Sequence, residues 1–285
     1  MLHIGIDLHG TLITDHPEEV PPASRPRLLA AMERVKGLAR LYVCTGNDLG
    51  FLHRKLPAEV LDRMDGAVLE TGCVVSDLRT ETILVDPLVV HRVKMLERLL
   101  QEERFEWVYK FARRLATVSL FTRRGLCAAD FRDEVDREVR ALGFGDVVIV
   151  TYSSVAVDII PREFNKLTGL RRLAGSEPAV GIADSMNDLE LIRGADYAFL
   201  PANSSPELLE RLRQSGKRIG RIPVSAAADT MTQAKLRDRL GSMPLSVPER
   251  RIGEATGLQR DVPLLAAESF TDAVSQSLEF IAEHV

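Results

Sequence analysis

An apolar, strand-like run, Leu2-His3-Ile4-Gly5-Ile6, ends on a carboxylate, Asp7, and passes through Leu8-His9 into Gly10-Thr11. A short apolar run bounded by turn residues suits a buried strand, and Gly10 permits a tight turn behind it. The next segments narrow the fold further. The proline-rich stretch from Pro17 to Pro26 reads as loop. Leu28, Leu29, Met32, Val35 and Leu38 recur at helical spacing over residues 27–38. Leu41 to Cys44 reads as a second strand closing on Thr45-Gly46, residues 49–56 as a helix, and Asp65 to Glu70 as a third strand before Thr71-Gly72. This alternation predicts an α/β fold, a parallel sheet with helices on its faces. Such sheets hold ligands beyond the carboxyl ends of their strands, and Asp7 stands at that end of the first strand.

The rhythm changes near residue 80. Val89 to Glu103 reads as an amphipathic helix, Glu106 to Arg124 holds strand-like runs, and Phe131 to Leu142 reads as a second helix. Two further strands follow, Val147 to Tyr152 and Ala156 to Ile160. A helix-strand-strand order given twice predicts a compact α+β unit over residues 80–159, inserted into a core made of residues 1–79 and 160–285. The α/β pattern resumes with a helix over 164–174, strands at 179–183 and 197–200, and a helix over 206–215. The polar stretch 223–261, broken by Pro and Gly, yields no reading. A last strand at 263–267 and a closing helix over 271–284 are expected to finish the core.

A hydrophobic content of 45% and a charged content of 27% are those of an ordinary globular protein. The net charge of −4 argues against a partner held by a general basic field, so nucleic acid is not expected. No run approaches the ~18 apolar residues that span a bilayer, so no membrane is expected either. Cys44, Cys73 and Cys127 lack metal-ligand spacing and read as reduced thiols in a cytoplasmic protein. The N-terminal run carries Asp7 and has no basic region before it, so it reads as a strand and not a leader. Nothing in the residues fixes an oligomeric state.

Three later segments join Asp7: Val43-Cys44-Thr45-Gly46-Asn47, then Lys166 at a helix start, then Gly181-Ile182-Ala183-Asp184-Ser185-Met186-Asn187-Asp188. In order and chemistry the four resemble the motifs of the haloacid dehalogenase superfamily, and within it the Cof-type and sugar-phosphate phosphatase branch. The resemblance covers residues 1 to about 210. It implies a Rossmann-like core with an inserted cap, and Mg²⁺-dependent hydrolysis of a small phosphorylated substrate through an aspartyl-phosphate. Asp7 takes the role of nucleophile, and Thr45 and Lys166 bind and neutralise the transferring group. Asp7, Asp184 and the backbone carbonyl of His9 would hold the metal, with Asp188 either an additional acidic ligand or a support behind the ligands. Gly10, Thr11, Gly46, Asn187 and the inserted region's Arg113 contact substrate. Lys110, Arg114, Arg123 and Arg124 are further basic candidates in that region. Glu70-Thr71-Gly72-Cys73 resembles the Glu-Asn-Gly-Ala segment that follows the third strand in this branch; a role in setting the cap and a plain strand-end turn both fit it.

Three positions depart from the pattern: Ala183, where the family usually has Gly, Asn47, where a basic residue is common, and, most consequentially, His9. The usual first motif is Asp-x-Asp-Gly-Thr, and His9 replaces its second Asp. That Asp protonates the leaving oxygen and later takes a proton from water, and histidine is able to do both. Three readings stay open at this point: a phosphatase with His9 as acid–base, a phosphotransferase or mutase whose phosphoenzyme lives longer, and a weakly active phospho-ligand-binding protein.

Overall fold

The computed structural model describes residues 1–80, 82–103, 105–153, 155–223 and 257–285. Most of the stretch that yields no reading, residues 224–256, lies outside them. In chain order the described elements are β1 (Leu2–Asp7), α1 (Arg25–Val35), β2 (Ala39–Cys44), α2 (Leu49–Lys55), α3 (Ala58–Leu61), β3 (Gly66–Leu69), β4 (Val74–Asp77), β5 (Thr82–Val85) and α4 (Pro87–Glu102). Then come β6 (Val108–Phe111), β7 (Val118–Thr122), α5 (Arg132–Ala141), β8 (Val148–Tyr152), β9 (Ala156–Pro161) and α6 (Lys166–Ala174). The chain closes with β10 (Ala179–Ile182), α7 (Leu189–Gly194), β11 (Tyr197–Leu200), α8 (Pro206–Gln214), β12 (Gly220–Arg221), β13 (Leu264–Leu265) and α9 (Phe270–His284).

The chain divides into two compact units. The first comprises Met1–His9 and Ala39–Ala179. In it β1, β2 and β3 pair in parallel, with Asp7 opposite Cys44 at the carboxyl end. β4 and β5 then add antiparallel strands. Ile4, Ile6, Val43 and Val68 are fully buried, as expected of parallel strands covered on both faces. The alternation read from the sequence therefore holds, with one addition. Val74–Asp77 and Thr82–Val85 form a hairpin on the larger sheet, whose turn is held by Asp77 accepting the Arg79 and Thr80 N–H groups.

The same unit contains the twice-repeated helix-strand-strand pattern. Its sheet runs β6-β7-β9-β8, antiparallel throughout. One sheet face carries Val118, Leu120, Val157, Ile159 and Val150, all buried. α4 and α5 bury Val93, Leu96, Leu100, Val135 and Val139 from the other layer, so the two apolar stripes close on a single core.

The second unit comprises Gly10–Leu38 and Val180–Val285. β10 pairs with β11, β11 with β13, and β13 with β12, all parallel. α1 packs on α9. Arg27 of α1 forks onto Glu279 of α9 at 2.9 and 2.7 Å and reaches Glu268 at 2.5 Å. Burial pushes the Glu268 carboxyl up while the Arg27 charge pulls it down, with burial the larger effect. α9 buries nine of its residues, including Val274, Leu278 and Ile281, so the closing segment packs as core. Among the described residues no helix is long and apolar enough to cross a membrane.

Candidate active site

In the first unit β1 delivers Asp7 at its carboxyl end, 5% exposed. Lys166 is the first residue of α6, 7% exposed, and its Nζ lies 2.5 Å from Asp7 Oδ1. The two residues are 159 positions apart in the chain. The α6 start is set by its cap. Asn165 Oδ1 accepts the Thr168 N–H at 2.9 Å, and Thr168 Oγ1 accepts the Asn165 N–H at 2.9 Å. This reciprocal pair satisfies two end-of-helix donors and fixes the first turn. A buried ammonium against a buried carboxylate compensates two charges that would each be costly alone.

β2 ends at Cys44 and releases Thr45, 2% exposed. Thr45 N–H donates to Val68 O at 2.8 Å, and Thr45 Oγ1 accepts the Asn47 N–H at 3.1 Å. Asp48 caps α2 by accepting the Phe51 N–H at 2.7 Å. Gly46 stands between them, and among the described residues only the Thr71 hydroxyl lies near its missing Cβ. His9 is half-buried, its ring tilted against Phe51 with centroids 5.4 Å apart.

In the second unit Gly10 turns the chain at φ +73°. A Cβ there would come within 2.9 Å of three atoms of the Asp184 carboxyl group. Only glycine lets the backbone pass so close to that carboxylate. Thr11 Oγ1 donates to Asp184 Oδ1 at 3.1 Å. Asp184 follows β10, and its carbonyl accepts the Ser205 N–H at 2.8 Å. Asp188 is 1% exposed and accepts from Ser185 Oγ at 3.1 Å. Asp184 and Asp188 each offer a carboxylate oxygen within 4.8 Å of the other. Hard oxygen donors gathered this way suit Mg²⁺, which takes few carboxylates and keeps several waters. Asn187, in the same turn, is exposed.

The structure thus brings Asp7 and Lys166 into contact within one unit and Gly10, Thr11, Asp184 and Asp188 together within the other. Arg113 is exposed, and so are Lys110, Arg123 and Arg124. The neighbouring Arg114 is 9% exposed and reaches the loop after β2, with Nη1 3.1 Å from Asp48 Oδ2 and Nη2 2.9 Å from Asn47 Oδ1. The sequence expectation names Arg113 for substrate contact, whereas the buried arginine is Arg114; alternation along a strand does not choose between adjacent arginines on a loop. Asn203 has no sequence signal of its own, yet its Nδ2 holds the Gly10 carbonyl at 2.8 Å while its Oδ1 accepts the Phe270 N–H at 2.9 Å.

Residues 128–215 match the sequence model of the haloacid dehalogenase-like hydrolases. No curated protein sequence matches the chain. Among solved structures, the sucrose-phosphatase from Synechocystis, determined with sucrose and phosphate, aligns with a TM-score of 0.58 at 17% identity, over 98% of this chain and 96% of that one. A haloacid dehalogenase-like hydrolase from Bacteroides thetaiotaomicron gives 0.51 at 15% identity, over 73% and 91%. A trehalose-6-phosphate phosphatase related protein gives 0.50 at 19% identity, over 71% and 87%. At these identities the likeness is one of fold: an α/β core with a parallel sheet and an inserted α+β region.

Proposed function

We propose that this chain, which shares the fold of the haloacid dehalogenase-like hydrolases and matches their sequence model over residues 128–215, is a phosphatase of small phosphorylated metabolites, with a sugar phosphate as the favoured class. The observation that carries the reading is the buried contact between Lys166 Nζ and Asp7 Oδ1 at 2.5 Å. A lysine at a helix start holding a strand-end aspartate presents a fixed carboxylate where an anionic group is expected to arrive. The sucrose-phosphatase likeness over nearly the whole of both chains supports the substrate class.

In the first step a carboxylate oxygen of Asp7 bonds to phosphorus as the bond from phosphorus to the leaving oxygen breaks, and that oxygen takes a proton from His9. In the second step water attacks phosphorus and gives a proton to His9, and the bond to Asp7 breaks to release inorganic phosphate. Lys166 holds Asp7 in place and offsets the charge of the incoming phosphoryl group. The Thr45 hydroxyl and the Gly46 N–H bind its oxygens. Gly10 and Thr11 place backbone and hydroxyl against Asp184. Asp7, Asp184, Asp188 and the His9 carbonyl would hold Mg²⁺. That ion, when bound, neutralises charge as a carboxylate approaches a phosphate dianion.

With Mg²⁺ the protein is expected to hydrolyse p-nitrophenyl phosphate and members of a sugar-phosphate panel. Asp7→Asn should lower the rate by at least about 10³-fold, the scale seen when a nucleophile is removed. Turnover that survives Asp7→Asn removes the nucleophile assignment. His9→Asp tests the acid–base role. A loss of about 10²-fold or more marks His9 as the working group, within the range assigned to positioned acids and bases, whereas a comparable gain shows that position 9 restrains hydrolysis.

A further inference from the structure

We propose that Glu70 is a positioning residue: it seats the loop Leu115–Thr117 of the inserted region, and through that seat delivers Arg114 to Asn47 and Asp48 beside the proposed phosphate-binding Thr45. The inference deepens the phosphatase reading, on which its kinetic consequence rests.

Glu70 follows β3 and is 2% exposed. Its carboxylate collects three donors from the inserted region: Leu115 N–H on Oε1 at 2.7 Å, and Ala116 N–H and Thr117 Oγ1 on Oε2 at 2.8 and 3.1 Å. All three lie 45–47 positions downstream. An acceptor with two oxygens meets three donors, a match that a carboxylate makes and an amide cannot, since the amide nitrogen would confront an N–H. Arg114 is the residue immediately before the seated segment, and its two Nη atoms reach Asn47 and Asp48. Its buried Nε has no hydrogen-bond partner among the described residues.

The turn that aims Glu70 has an unusual backbone. Glu70 and Thr71 both sit at positive φ, +47° and +57°, and Gly72 follows at +96°. Consecutive non-glycine residues in this region are strained and persist only where their surroundings hold them. Here the surroundings are the proposed site's own elements. Glu70 N–H donates to Asn47 O at 3.1 Å and Thr71 N–H to Thr45 O at 3.1 Å. Gly72 abuts Asn165, where a Cβ would fall 2.0 Å from the carbonyl oxygen of the residue that caps α6 ahead of Lys166. One three-residue turn therefore touches the loop after β2, the start of the lysine helix and the inserted region. A turn that merely ended β3 would have no use for a buried carboxylate filled by donors from so far along the chain.

The test uses the full chain with Glu70→Gln, which keeps size and removes the charge and one acceptor. Thr117→Val, which removes one donor and leaves the turn intact, serves if Glu70→Gln does not fold. Amide exchange at Leu115 and Ala116 should accelerate by about tenfold or more in Glu70→Gln. In the wild type the Arg114 guanidinium protons, assigned with Arg114→Lys, are expected to exchange slowly, and in Glu70→Gln these slow signals should be lost. With p-nitrophenyl phosphate KM should rise by several-fold more than kcat falls. Thr117→Val should move each quantity in the same direction by less. Unchanged exchange at both amides, or an Arg114 signal that persists once they are freed, overturns the inference. If wild-type protein turns over no phosphate ester, the phosphatase reading falls, and the two exchange measurements still decide the role of Glu70.

Discussion

Two turns at strand ends solve opposite problems. After β1, Gly10 adopts φ +73° so that backbone can lie against the Asp184 carboxylate. After β3, Glu70 and Thr71 adopt φ +47° and +57° although neither is glycine. The first turn makes room for a side chain from elsewhere, and the absence of a Cβ is its working property. The second must present a side chain of its own, so a Cβ is indispensable and the strain is tolerated, at a cost of roughly 1–2 kcal/mol for each left-handed residue. A positive φ therefore has two meanings here, and residue type tells them apart.

The sharpest way to break this contrast is Gly72→Ala. The added Cβ would meet backbone, the Asn165 carbonyl at 2.0 Å, which cannot swing aside as a side chain can. The expected loss is about 3 kcal/mol or more, the upper end for overpacking plus left-handed strain, read as a fall in the denaturation midpoint. A loss under about 1 kcal/mol would show that the turn yields. Gly10→Ala comes next. Its Cβ meets the movable end of Asp184, so stability should fall less. Mg²⁺ affinity should drop by about 10–100-fold, as when a group supporting a metal ligand is disturbed, measured by calorimetric titration. An unchanged affinity would separate Asp184 from the metal.

The smallest effect concerns how well buried carboxylates are held. Glu70 receives three donors, whereas at Asp158 on β9 a Ser119 hydrogen bond and the Arg114 charge oppose the effect of burial. Burial outweighs both and holds the Asp158 carboxyl above the usual range. A folded-state pKa above the unfolded one means that the fold favours the protonated form. Stability from this group is full below the unfolded value and declines as pH rises from there through the folded value. Asp158→Asn should remove that decline. Tm should rise by about 2 °C near pH 7 and stay unchanged at a pH below the ordinary carboxylate range. Equal shifts at both pH values would exclude ionisation as the cause.

Much of this was legible in the residues. The strand and helix ends near Asp7, Thr45, Lys166 and Asp184 are legible because the spacing of apolar residues marks them, while the roles expected of these four residues rest on their resemblance to the haloacid dehalogenase motifs. The inserted pattern is legible for the same reason: α4 and α5 repeat their apolar residues at helical intervals and β7 to β9 are long enough to register. The hairpin of β4 and β5 is not. Its four-residue strands are short, and Thr82, Ile83 and Leu84 are exposed, so no face repeats often enough to show a period. Arg114, not Arg113, lies buried against Asn47 and Asp48, next to a segment whose Leu115 and Ala116 N–H groups are held by Glu70, 45 or more positions away, and no local pattern carries that distance. Asn203 is hidden similarly, since its partners Gly10 and Phe270 lie 193 and 67 positions away.

The pairing of α1 with α9 sets an order of events during synthesis. Residues 25–35 leave the ribosome early, yet the partners of Arg27, Glu268 and Glu279, emerge more than two hundred residues later. Until then the buried stripe of α1, Leu28, Ala31, Met32 and Val35, has no cover from α9. A nascent chain exposing such a stripe is a natural client for chaperones, and a stop codon ahead of residue 270 would leave it bare for good.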